Sequence, residues 1–186
     1  MEKKFILTDK FVINSFGIKL FQIKCTKSFK YAQKGDFGGY VEKEGNLDQE
    51  NDAWVFGNAR VFGNARVSSN ARVSGDAWVS DNAWVSSNAW VSGDARVSGN
   101  AWVSGNADIE NDNEHCGFDG FGSCNRHTHA YMTKEKKVEI ICGCFRGSIE
   151  EFEKKVEETH SGTVYEKQYK SIINVIKIKF GLTDFT

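Results

Sequence analysis

No stretch of the 186 residues approaches the roughly 20 consecutive apolar side chains that a membrane-spanning helix requires. The opening residues, MEKKFILTDKF, hold only a brief apolar run before Thr8 and Asp9, with no signal-peptide pattern. Cysteine is sparse and odd in number. Cys25, Cys116, Cys124, Cys142 and Cys144 cannot all pair within one chain, which excludes a complete disulfide framework and points to free thiols in a reducing compartment. These absences predict a cytoplasmic protein with no membrane partner. Clustered positive charge is missing as well: residues 41–112 carry five Lys or Arg against eleven acids, although residues 1–40 carry eight Lys and three acids. A segment that acidic does not grip a phosphate backbone, so direct binding to duplex nucleic acid is disfavoured.

What is present is a repeat. The composition, 40% apolar and 26% charged, is that of an ordered globular chain. From Ala53 to Ala107 an Ala recurs every six residues without a miss, and two residues after each stands a Val, from Val55 to Val103, with Ile109 closing the series. Six residues turn a helix through about 600°, scattering such a pattern around its circumference. On a strand, Ala and Val of A-x-V-x share one face, and the Gly/Ser-Asn/Asp pair that follows supplies a turn. Each hexad is therefore predicted to be a short strand plus a corner, in a chain that coils and stacks on itself.

Units such as VSGDAW and VFGNAR resemble the hexapeptide repeat of left-handed parallel β-helices. The resemblance implies three hexads per triangular coil, so that residues 18 apart lie above one another at about 4.8 Å. The position between Ala and Val then points outward. One face carries Trp54, Arg72, Trp90 and Asp108, the second Arg60, Trp78 and Arg96, the third Arg66, Trp84 and Trp102. Trp and Arg alternate well enough for cation–π ladders, a structural role, while the same residue types also suit a binding surface. Serines from Ser68 to Ser104 leave room beside the large side chains, and Phe56 and Phe62 are expected to meet the N-terminal segment. The Asn64, Asn82 and Asn100 corner is expected to form an amide ladder and to take left-handed backbone angles. In the Asn58, Asp76, Asp94 and Asp112 corner, neutralisation by Arg60 and Arg96 is favoured over a cation or a basic partner.

The fold class expected is mainly β: a left-handed parallel β-helix with an N-terminal β-hairpin cap and a small C-terminal α+β module. Residues 1–40 supply the cap, 41–112 the coil and 113–186 the module, made of a hairpin plus two helices. Asn113 to Arg126 is read as a connection. His127–Thr133 and Val138–Cys144 form the hairpin; Ser148 and Glu151 form a capping box for a helix ending near Thr159, and a second helix runs from about Val164 to Ile176.

Metal ligands are weakly suggested by His127 and His129 on one strand and Cys142 and Cys144 on the next, without a usual zinc spacing. A Cys–His nucleophile pair, for example with His160, has nothing in the sequence to bring it together. Many left-handed β-helix proteins are acyltransferases that use a His from the coils or from an inserted loop as general base. Between Ala53 and Ala107 there is neither, so no catalysis and no cofactor are expected.

KGDFGGYVEKEGNLDQENDAWV, the uninterrupted GNARV-type repeats and ICGCFRGSIEEFEKKVEETH together resemble a group of uncharacterised phage and prophage proteins. The resemblance implies an accessory protein that binds a host protein in the bacterial cytoplasm, such as an inhibitor of an antiviral defence, on a scaffold that self-associates as a dimer or trimer. The binding candidates are Arg66, Trp84 and Trp102, with Arg60, Trp78 and Arg96 on the neighbouring face. The alternatives are a nucleotide-binding sponge with Trp/Arg clamps and, further off, a hexapeptide-repeat acyltransferase.

Overall fold

The computed structural model describes residues 2–182 and divides after Asp112 into two compact units. In the first, three strands precede the regular hexads: β1 (Phe5–Ile13), β2 (Lys19–Cys25) and β3 (Phe37–Val41). Phe5 pairs with Cys25 and Phe21 with Val41, both antiparallel. Ten two-residue strands follow, β4 to β13: Trp54–Val55, Arg60–Val61, Arg66–Val67, Arg72–Val73, Trp78–Val79, Trp84–Val85, Trp90–Val91, Arg96–Val97, Trp102–Val103 and Asp108–Ile109. They stack in parallel as three faces, β4-β7-β10-β13, β5-β8-β11 and β6-β9-β12, a β-solenoid of about four turns.

The 18-residue register follows from what each position must do. Ala and Val point inward and are buried at every hexad, a narrow interior that admits only small side chains. Each rung gives its backbone donors to the next: Arg60 N–H to Ala77 O at 2.9 Å and Phe62 N–H to Val79 O at 3.0 Å. The coil begins before the regular hexads, as expected. Here β3 pairs in parallel with β5 and Leu47 bridges Val67, both at a spacing of 20 residues. The two extra residues fall between Leu47 and Val55, and just before them buried Asn46 ties the irregular turn to the next one, its amide donating to the Gly63 and Ala65 carbonyls at 3.2 and 2.8 Å.

With no proline in the chain, the corners depend on left-handed backbone. That conformation falls one residue earlier than the sequence suggests: at Gly57, Gly63, Ser69, Gly75, Asp81, Ser87, Gly93, Gly99 and Gly105, not at the asparagines. At Gly75, with φ +67°, a Cβ would also lie 2.7 Å from the Gly93 carbonyl of the next turn. The asparagines do the laddering: Asn64 donates to Asn82 at 3.2 Å and Asn82 to Asn100 at 3.3 Å.

The second unit is a four-stranded antiparallel sheet in chain order, β14 (His115–Phe121), β15 (Arg126–Met132), β16 (Val138–Cys142) and β17 (Phe145–Ser148), followed by α1 (Ile149–His160) and α2 (Val164–Lys179). Ser148 caps α1 through the expected box with Glu151, and Thr163 caps α2. The segment read as a connection is in part a strand. HCGFDGF carries two glycines, Gly117 and Gly120, but its backbone pairs with β15, His115 opposite Tyr131 and Phe118 opposite Thr128. Ala130, Ile140, Phe152, Val156, Tyr169, Ile172, Ile173 and Ile176 form the core between sheet and helices.

Candidate functional site

The outward residues of the coil fall into the three columns that a period of 18 predicts, but each column has a different environment. On the first face Trp54 is paired beneath Arg72, and Arg72 beneath Trp90. Trp54 does not face solvent. Phe5 and Phe29 lie edge-on to it at 6.3 and 5.4 Å and leave it 1% exposed, a correction to its placement on the outer surface. Arg72 lies 4.3 Å from the Trp90 ring and 5.5 Å from that of Tyr31.

On the second face Arg60 and Arg96 each place the guanidinium 5.3 Å from the Trp78 ring, one below and one above. This is the cation–π ladder expected of the alternation. At the acidic corner the contacts shown are of another kind. There Asn58 donates its amide to Asp76 at 3.2 Å and the Arg96 backbone N–H donates to Asp112 at 2.7 Å. Phe62 and Phe16 complete an aromatic group around Trp78, at 5.9 and 6.4 Å, while Phe56 packs on Tyr31. The N-terminal segment thus reaches both phenylalanines.

The third face brings Arg66, Trp84 and Trp102 into one column. Trp84 and Trp102 stack with centroids 5.4 Å apart and planes 5° from parallel. They remain 44% and 39% exposed, and Arg66 is exposed beneath them. The serines do more than leave space. Trp84 Nε1 donates to Ser68 Oγ and Trp90 Nε1 to Ser74 Oγ, both at 2.8 Å. The acceptor is always 16 residues earlier, an offset that sequence reasoning missed although the Ser recurrence encodes it; at Trp78 the same place is held by Phe62.

The tail residues suggested as metal ligands are not brought together. Thr128 pairs with Cys142, so Cys142 lies on the helix-facing side, accepting from Thr128 Oγ1 at 3.3 Å. His127 and His129 project from the opposite face, and Cys144 stands exposed beyond the strand. His127 Nδ1 meets Asp119 Oδ1 at 2.8 Å, and His129 Nε2 lies 3.2 Å from His115 Nδ1. Among the described residues no group of three or more His, Cys, Asp or Glu is arranged to hold a metal ion. Burial pushes the Cys116 thiol up to about 11, keeping it protonated at neutral pH. Among the described residues no helix is long and apolar enough to cross a membrane.

Residues 53–69, 59–75, 65–81, 71–87 and 89–105 match the family model of the YdcK beta solenoid repeat. The match lies within the regular hexads and spans well under half of the chain. No curated protein matches it. Stacked faces and repeat match agree on the fold: the chain is a β-solenoid protein carrying an additional C-terminal unit with two helices.

Proposed function

We propose that this chain is a non-enzymatic scaffold that docks a protein partner on the third face of its solenoid. The observation that carries the reading is the Trp84–Trp102 stack, two large indoles held parallel yet exposed, with Arg66 in the same column. Trp and Arg dominate interface energies because they bring large area and directed donors at low entropic cost. The other faces have less to offer a partner. Trp54 is covered, and the arginines beside Trp78 and Trp90 already lie over those rings.

The partner in this reading is a host-cell protein and the chain a phage or prophage accessory protein that inhibits an antiviral defence in the bacterial cytoplasm. Its support is the sequence resemblance already described, together with the lack of any His in the regular coils. The same reading takes the coil as left-handed, the β1–β2 hairpin as its cap, and the scaffold as a homodimer or homotrimer. A nucleotide clamp is less favoured. A base slid between two rings needs them about 7 Å apart, whereas Trp84 and Trp102 are closed on each other at 5.4 Å.

The test is capture from host lysate on immobilised full-length protein, wild type beside a Trp84→Ser/Trp102→Ser variant with an unchanged circular dichroism spectrum. One host protein is expected on the wild type and not on the variant. Equal recovery by both overturns the third face as the docking surface. Light scattering that reports a monomer at high concentration removes the self-association.

A further inference from the structure

The second unit contains a cavity of about 280 Å³ between the loop after β14, the β16–β17 turn, α1 and α2. We propose that this cavity binds a small organic anion, a carboxylate or phosphate monoester carried on a compact apolar body. Its rim and its floor differ in chemistry. Two cations, Arg126 and Lys155, are among the lining residues, and no Asp or Glu is. Phe145, Phe152 and Val156 supply an apolar floor, with the two Phe rings 5.0 Å apart. Cations above an apolar floor select an amphiphile: a bare ion leaves the floor wet, and a neutral ring leaves the cations unpaired.

Two features hold this arrangement in place. Gly143 sits in the turn between β16 and β17 with φ +60°, and the Arg126 guanidinium lies where any Cβ at that position would be. The turn thus needs Gly both for its backbone and to let Arg126 lie across the mouth. On the other side His160 stacks on Tyr169 at 5.5 Å, which in turn meets Phe152 edge-on at 5.6 Å. The Tyr169 hydroxyl does not oppose an anion with charge of its own. Burial and its contact with Cys142 at 3.7 Å push it up to about 12, so it stays protonated. Lys155 has a long contact with Glu158, 3.7 Å on the open surface, too weak to commit it.

The fold also unites what the sequence left apart. Cys124, Cys144 and His160 come from three separate segments and line the same cavity, and Cys124 and Cys144 are exposed. These thiols report occupancy directly. An anion seated between Arg126 and the aromatic floor covers them, slowing their alkylation by iodoacetamide, while buried Cys25 serves as an internal reference.

The experiment uses the full chain with phenyl phosphate and benzoate as probes, inorganic phosphate and benzyl alcohol as controls, and mass spectrometry to resolve each cysteine. At least one aromatic anion is expected to slow alkylation of Cys124 and Cys144 about tenfold or more at saturation, with both controls at least about tenfold weaker in affinity. Which of the two binds distinguishes a phosphate from a carboxylate ligand. Arg126→Gln is expected to weaken binding about tenfold, and Arg126→Lys to restore part of it. If neither aromatic anion protects either thiol, or if benzyl alcohol protects as well as they do, the proposal is overturned, and the wild-type result stands whether or not the variants fold. Full binding by a folded Arg126→Gln overturns it equally.

Discussion

Inside the coil, from Ala53 to Ile109, the buried inward positions are Ala and Val at every hexad until Ile109. The core of the second unit, by contrast, takes Ile140, Phe152, Tyr169 and Ile173 from a sheet and two helices, each in a place of its own. In the coil a side chain meets copies of itself one turn away, so one solution is used ten times and shows as a period. In the second unit each contact is solved once, between segments far apart in sequence. Redundancy makes the first tolerant of a modest loss at one hexad, whereas the second concentrates its stability in a few large side chains.

The largest expected effect tests that concentration. Ile173→Ala deletes a side chain 2% exposed in the core of the second unit, and a cost of about 2–5 kcal/mol is expected from lost burial and an unfilled cavity. Urea unfolding followed by far-ultraviolet circular dichroism near 222 nm, where the helices dominate, measures it. A cost below that of Val85→Ala in the coil would reverse the comparison.

The coil has its own intolerant positions, at the corners. Gly75→Ala must put a Cβ against the Gly93 backbone at a positive φ, and a loss of about 2–3 kcal/mol is expected. Ser69 and Ser87 hold the same backbone at φ 59° without being Gly. Ser69→Gly is therefore expected to raise stability by roughly 0.5 kcal/mol, the relief of strain exceeding the added freedom of the unfolded chain. Matching losses at both positions would mean that the corners are not equivalent.

Where the regular hexads begin, repetition gives way to a single buried cation. Lys4, 4% exposed, donates through Nζ to the Asn51 and Ala53 carbonyls at 2.5 and 2.9 Å, and burial lowers its pKa to about 8. Below that value the native state must hold the ammonium at a cost. Between about pH 8 and the ordinary lysine value of 10.5, native Lys4 is neutral while the unfolded chain still binds the proton, so stability from this group rises with pH. The difference in unfolding free energy between wild type and Lys4→Met should move toward the wild type by about 1–3 kcal/mol across that window. A flat difference would mean that the ammonium is solvated.

The same contrast explains what could be read beforehand. Ala and Val at a fixed spacing, outward columns 18 apart and the Asn64 ladder follow from local pattern and β geometry. Covering of Trp54 by Phe5 and Phe29 does not, because those residues belong to no period. Strand β14 was hidden by its own glycines and is specified by its pairing with β15. The left-handed corners fall one residue before the asparagines: six of the nine are Gly, which takes that backbone freely, whereas Ser69, Asp81 and Ser87 give no such sign and the Asn or Asp that follows each corner residue tolerates the same angles. For the cavity, Ser148 and Glu151 announce α1, but nothing local tells that His160 at its far end lines one cavity with Cys124 and Cys144.

The smallest effects bear on why Ser occupies the second outward position. As a mere spacer it could be replaced by Ala at no cost, since Ala is smaller still. As the acceptor for an indole N–H it could not, because the donor would lose its partner wherever water does not reach. Trp90 donates to Ser74 in a half-buried setting and Trp84 to Ser68 in an exposed one. Ser74→Ala should therefore cost about 1 kcal/mol and Ser68→Ala closer to about 0.3 kcal/mol, both read by urea unfolding. If neither costs anything, the serines only make room. If both cost the same, the exposed third face is less open to solvent than its geometry indicates, and the Trp84–Trp102 pair loses standing as a docking surface.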